Sequence, residues 1–141
     1  MTHSKLLDLE SAVKEIIRDF DGIFVWKKDD WVKSILAEFA AADAGAIDGK
    51  LTRHLPHRWD SVSVVDAPDN IQLIKDKFGG IKKGQFILAS KPEEECFIVG
   101  AWWPWGNGVD ISIRLAPFSV KFSQEELEEF IRIFQSWFNP Q

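Results

Sequence analysis

The sequence predicts an α+β fold, with an antiparallel sheet of four or five strands and helices packed mainly on one face. Three observations support this: a strand–turn–strand pattern over residues 96–115, a further strand directly before it, and amphipathic helical patterns at both ends. The N- and C-terminal helices are expected to cover the sheet. At 141 residues the chain is expected to form a single domain, residues 1–141.

The N-terminal half alternates helical and irregular patterns. Leu6–Phe20 carries apolar residues at spacings of three and four, which predicts an amphipathic helix. Ile23–Trp26 predicts a short strand, and Trp31–Ala42, with Asp29 or Asp30 as N-cap, predicts a second helix. The segment that follows is predicted to be a loop.

Ala41–Lys50, which contains two glycines and two aspartates, is predicted to be the end of that helix followed by the loop, and Pro56 argues against a continuous helix just beyond it. A brief strand is predicted over Ser61–Val65, a short helix over Ile71–Phe78 and a strand over Gln85–Ser90. Short connections join the strand at 85–90 to the two strands of the hairpin that follows, which indicates an antiparallel meander.

The hairpin that follows admits two registers around Gly106-Asn107-Gly108. A two-residue loop pairs Trp103 with Ser112, whereas a three-residue loop pairs Trp103 with Ile111. Because a slip of one residue exchanges the faces of a strand, the register that better separates polar from apolar residues is preferred. The three-residue loop does so, and it puts on one face Phe97, Val99, Ala101, Trp103, Ile111, Ile113 and Leu115.

The last helix has the clearest signals. Ser123 and Glu126 form a capping box, in which each side chain satisfies the other residue's backbone amide. The helix that follows carries an apolar stripe of Leu127, Phe130, Ile131, Phe134 and Phe138.

Composition disfavours two classes of binding partner. The formal net charge is −5 with scattered cations, so binding to nucleic acid or to an anionic membrane surface is disfavoured. A basic protein is the electrostatically favoured partner. The single cysteine, Cys96, excludes an intramolecular disulfide and indicates a reducing, cytoplasmic location, and no secretory signal peptide is apparent. No pattern indicates an oligomeric state.

The candidate binding residues are Trp102, Trp105, Arg114 and Asp110 at the hairpin tip. In the preferred register Trp102 shares a polar face with Asp110 and Arg114, and an arginine over an indole is a frequent interface anchor. The alternative is that another segment of the chain covers both Trp102 and Trp105.

Two other stretches are candidate sites. His54, His57 and Asp60 have a spacing compatible with zinc on a helix, but Pro56 interrupts it and no further His or Cys lies nearby, so a polar loop is favoured. The Gly79–Gly84 loop lacks the spacing of a phosphate-binding P-loop, which favours an exposed basic turn. The sequence therefore predicts no metal and no cofactor.

The favoured function is a non-enzymatic, intracellular protein-interaction module. One concrete version is an acidic inhibitor or immunity-type protein that binds a basic partner through the aromatic hairpin tip. The alternative is a small-molecule-binding protein or an enzyme, with a tryptophan-lined pocket against the sheet. No catalytic residue is predicted, because no nucleophile or paired-carboxylate pattern stands out.

Overall fold

The structure is a computed structural model that describes residues 3–30 and 33–140, with side chains from residue 7 onward. Its strands are β1 (Lys27–Asp29), β2 (Ser34–Ala40), β3 (His57–Asp60), β4 (Phe86–Ala89), β5 (Cys96–Pro104) and β6 (Asp110–Ser119). Its α-helices are α1 (His3–Asp19), α2 (Ala44–His54), α3 (Asp69–Lys77) and α4 (Gln124–Trp137). Short 3-10 turns span Ala41–Asp43 and Ser63–Asp66.

The described strands form one antiparallel sheet in the order β1-β2-β6-β5-β4-β3. The α+β class is confirmed, but the expected four or five strands become six within this part of the chain. None of the first three strands was predicted at its observed position: β2 was predicted to be a helix, and β1 and β3 are short edge strands that contain mostly charged or exposed residues. Neither β1 nor β3 shows the apolar alternation by which a strand is recognised in a sequence.

Helices cover both faces of the sheet, to different extents. On what we call the first face, α1, α2 and α4 pack over the centre of the sheet and bury the larger core, which includes Phe20, Leu51 and Phe134. On the second face, α3 and the Ser63–Asp66 turn cover a smaller cluster over β4, β5 and the end of β6. The terminal helices therefore do cover one face, but the opposite face is also half covered.

The predicted register of the β5–β6 hairpin is wrong by one residue. Trp103 lies opposite Ser112, and Trp102 lies opposite Ile113. Ile111 and Ile113 point to the first face as expected, but they share it with Trp102 instead of Trp103. The amide of Trp105 donates to the carbonyl of Asp110 at 2.8 Å, so residues 106–109 form the turn.

The error has a physical reason. The preferred register assumed that one hairpin face is solvated, but β5 is a central strand that is buried from Cys96 to Trp102. A strand covered on both sides carries apolar residues at consecutive positions, so the separation of polar from apolar residues does not fix its register.

Two other predicted elements in the N-terminal half are wrong. The helix predicted over 31–42 is strand β2, whose Ile35, Ala37 and Phe39 point to the first face. Trp31, assigned to that helix, lies outside the described residues. The loop predicted over 41–50 instead contains a 3-10 turn and the start of α2, which buries Ile47 and Leu51.

Shorter errors occur at two predicted strands. Ile23–Trp26 precedes β1 as an irregular segment, although Trp26 is buried. Ser61–Val65 contains most of a 3-10 turn. The helices predicted at 6–20 and 71–78, the strand at 85–90 and the C-terminal helix are confirmed within a few residues.

The capping box of α4 is also confirmed. The Ser123 hydroxyl accepts from the amide of Glu126, and the Glu126 carboxylate accepts from the amide of Ser123. These bonds lower the pKa of Glu126 below its usual value.

Within the described part of the chain, no helix combines the length and the apolar character that crossing a bilayer requires.

Candidate functional site

The sequence-predicted tip residues do not form one cluster. Trp105 lies on the turn and is 45% exposed, with the exposed Val109 near it. The turn is held by Asn107, whose side-chain oxygen accepts from the amides of Val109 and Asp110 and whose amide nitrogen donates to the Asp110 carboxylate at 2.9 Å. Trp105 is therefore presented on an ordered turn.

Trp102 lies in the core. It is only 5% exposed, it stacks on Phe86 with ring centroids 4.9 Å apart, and it meets Phe39 edge-on at 5.1 Å. Because a buried side chain cannot touch a partner without unfolding, Trp102 supports the fold and does not lie in the surface around Arg114.

Arg114 instead lies beside Trp103, on the second face of the sheet. Its guanidinium carbon is 5.9 Å from the Trp103 ring centre. Its Nε donates to the Asp29 carboxylate at 2.7 Å, and its Nη1 donates to the Ser112 hydroxyl at 3.2 Å. These bonds fix the guanidinium plane and leave Nη2 without a hydrogen bond within the described part of the chain.

A groove of about 760 Å³ runs along this second face, and we call it the Trp103 groove. It lies where the cover provided by α3 ends and the sheet surface becomes accessible. Its floor is formed by Val99, Trp103, Ala116 and Phe118 of β5 and β6. Phe78, which follows α3, forms one wall, with its ring centre 5.4 Å from that of Trp103.

The charge of this groove is opposite to that of the whole protein. Its lining includes four cations, Lys33, Lys77, Lys82 and Arg114, and no described carboxylate. Asp29 balances Arg114 from outside the lining, whereas the three lysines make no ion pair with any described residue. Unpaired cations around apolar walls produce a local positive potential on a chain whose formal charge is −5.

The cations near His54 and His57, which are Lys50, Arg53 and Arg58, differ from the groove lysines because they are paired with carboxylates. Lys50 and Arg53 both lie within 4.0 Å of the Asp19 carboxylate, and Arg58 forms an ion pair with Asp48. Acidic side chains of the same chain therefore balance these cations, and an anionic ligand would have to displace them.

The histidines have separate structural environments. His54, in the last turn of α2, contacts the Asp19 carboxylate of α1 at 2.7 Å, and this hydrogen bond is the main cause of the lowered pKa of Asp19. Asp60 lies beyond His57 on edge strand β3, and its carboxylate accepts from the amides of Val62 and Ser63, which lowers its pKa. Among the described residues, no group of three or more His, Cys, Asp or Glu could hold a metal ion.

Sequence reasoning assigned Arg114 to a site but missed Trp103, Lys33 and Lys77. Trp103 was assigned to the core by the wrong register, and the lysines belong to segments that meet only in the folded chain. The glycines and lysines of the Gly79–Gly84 loop are visible in the sequence, where they were interpreted as an exposed turn. In the structure this loop contributes Lys82 to the groove, and Gly79 and Gly80 reverse the chain there with positive φ angles of 78° and 98°.

Comparison with protein-family models, with curated protein sequences and with solved structures finds no match to this chain. The site must therefore be interpreted from its own geometry.

Proposed function

We propose that this protein acts by non-covalent binding and that the Trp103 groove is the site at which it holds an anionic ligand. The observation that carries this proposal is the set of lysines that make no ion pair with a described residue and surround an apolar groove on an otherwise acidic protein. The volume of about 760 Å³ lies within the range of small-molecule sites, which are typically about 300–1,000 Å³.

The chemistry of the lining favours binding over catalysis. Among the described residues, the groove is lined by Lys, Arg and Gln together with apolar side chains and glycine, without His, Cys, Ser, Thr, Asp or Glu. Those are the residue types that most often act as nucleophiles or as proton donors and acceptors. Lysine and arginine without such partners are suited to hold a negative charge.

The test uses a fluorescent anion, anilinonaphthalene sulfonate, titrated into the purified chain. We expect saturable fluorescence enhancement that weakens as salt screens the lysines. Lys82→Glu should reduce the affinity at least about fivefold, which corresponds to about 1 kcal/mol. Lys83→Glu is the matched control, because it changes the net charge equally and lies on the next residue, outside the lining.

Equal affinities in the two variants would assign the effect to the overall charge and would remove the groove from the proposal. An absence of saturable binding to the unmodified chain would contradict the proposal directly.

The hairpin tip supports a second candidate function, which is docking to a basic protein partner. It is supported by the exposure of Trp105, by the neighbouring Asp110 and by the hydrogen bonds that fix the turn. An exposed tryptophan on an ordered turn is a suitable interface anchor. Inhibitor and immunity-type proteins belong to this class.

To test it, a photoreactive amino acid placed at position 105 would identify proteins that contact the tip. The affinity of a captured partner would then be compared for the unmodified chain, Trp105→Ala and the control Val62→Ala, an exposed apolar residue elsewhere. We expect Trp105→Ala alone to cost more than about 2 kcal/mol of binding free energy. Equal binding by all three proteins would remove the tip from the interface.

A further inference from the structure

We infer that the ligand of the Trp103 groove is a small organic anion with an apolar body, such as a carboxylate or phosphate carried on a hydrocarbon skeleton. This inference rests on the proposed function and specifies its ligand class. It combines the position of the cations, the shape of the apolar floor and the place of the floor strands in the sheet.

The cations lie beside the aromatic rings of the groove. The Lys77 ammonium is 5.6 Å from the ring centre of Phe118, and the Arg114 guanidinium is 5.9 Å from that of Trp103. A negative headgroup placed beside either cation would gain charge-assisted hydrogen bonds, and Nη2 of Arg114 makes no hydrogen bond with a described residue.

The floor between the cations is apolar and recessed. Arg114, Ala116 and Phe118 point to the same side of β6, so the small Ala116 side chain lies between two large ones, with Val99 beside it on β5. From the Trp103–Ser112 pair to Phe118 the floor runs about 20 Å, at about 3.3 Å per residue. Inorganic anions would leave this floor exposed to water, whereas an apolar body would cover it.

The strands of the floor argue against an extended peptide as the ligand. A peptide usually binds a sheet by pairing with an edge strand. β5 and β6 are interior strands, and the edges of the described sheet are β1 and β3. β2 pairs with β6 only from Asp110 to Leu115, and beyond this point Pro117 has no backbone amide to donate to an added strand. The groove therefore offers side chains and an apolar surface, and the strand edge beside it is interrupted by Pro117, which suits a small molecule better than an added strand.

The experiment is calorimetric titration of the full chain with acetate, hexanoate and octanoate, all below micellar concentrations, and with octanol as the uncharged analogue. We expect no measurable acetate binding and a gain of about twofold to fourfold for each added methylene. Octanol should bind at least about tenfold more weakly than octanoate, because it lacks the charge that the lysines recognise.

Two variants locate the binding. Ala116→Phe fills the recess without changing any charge and should weaken octanoate binding at least about tenfold. Ala40→Phe makes the same substitution at an exposed position outside the lining and should leave binding unchanged. If Ala116→Phe does not fold, Lys77→Gln on the exposed surface of α3 also locates the binding, because it removes one cation of the lining and should weaken octanoate binding.

The outcomes separate this inference from the proposed function. Sulfonate binding without octanoate binding, or acetate binding as tightly as octanoate, would overturn the amphipathic ligand class and leave anion binding intact. Octanol binding as tightly as octanoate would overturn both. Co-sedimentation with anionic phosphatidylglycerol vesicles that is lost in Ala116→Phe would overturn the small-molecule ligand in favour of a membrane surface.

Discussion

Truncation of each of the two adjacent tryptophans of β5 should have very different costs, because Trp102 lies in the core and Trp103 lines the groove. A buried tryptophan removes about 200 Å² from water, which at about 25 cal/mol/Å² corresponds to about 5 kcal/mol. Measured truncations of buried Phe and Trp cost about 3–5 kcal/mol. We therefore expect Trp102→Ala to lower the free energy of unfolding by about 3–5 kcal/mol, and Trp103→Ala by about 1–2 kcal/mol.

The assay is urea denaturation followed by far-UV circular dichroism, which does not depend on tryptophan emission. Native domains are stable by only about 5–15 kcal/mol, so Trp102→Phe provides a milder variant if Trp102→Ala is largely unfolded. Trp102→Phe keeps an aromatic ring against Phe39 and Phe86 and should cost about 1–2 kcal/mol. A cost for Trp103→Ala equal to or above that for Trp102→Ala would refute the register and, with it, the groove.

Three further predictions concern stability. Gly100→Ala should cost about 1–2 kcal/mol in urea denaturation, because its methyl group would lie 3.1 and 3.2 Å from leucine side chains; unchanged stability would show that these leucines adjust freely. Ser123→Ala should cost about 1 kcal/mol through loss of the α4 cap, and Ser123→Gly only a few tenths; equal costs would contradict the capping role. The lowered pKa of Asp19, caused first by the hydrogen bond with His54, contributes stability above pH of about 4 that is lost as the pH falls through the folded-state pKa. Asp19→Asn should therefore show a smaller loss of stability on acidification than the unmodified chain, and an identical acid profile would contradict this.

The parts of the fold that could be predicted were those with strong local signals. The capping box and apolar stripe of α4, and the spacing of apolar residues in α1, are set by neighbours three and four residues apart. β2 was mistaken for a helix because Ile35, Leu36 and Phe39 also match a helical spacing, and only tertiary pairing with β6 selects the strand. Its alternation of Ile35, Ala37 and Phe39 was present, but the small alanine made it weak.

The site was less predictable because it is assembled from distant segments. Arg114 stands out in the sequence, but its partner Asp29 lies 85 residues earlier in the chain and its neighbour Trp103 depended on the register. Lys33 and Lys77 have ordinary surface patterns, and only the folded chain brings them to one groove. The separation of charge that defines the site is therefore a tertiary property.

The position of β2 beside β6 has a consequence for the order of assembly. Its contacts are with residues far along the chain: the Gln135 side chain donates to the carbonyl of Ser34 across 101 positions. Closing such long loops before any contact forms is entropically costly, so the β5–β6 hairpin must exist as a template before β2 and β1 can join it. We expect the amides of β1 and β2 to exchange with deuterium earlier than those at the centre of β5, and the Arg114–Asp29 ion pair to be among the last contacts made in folding.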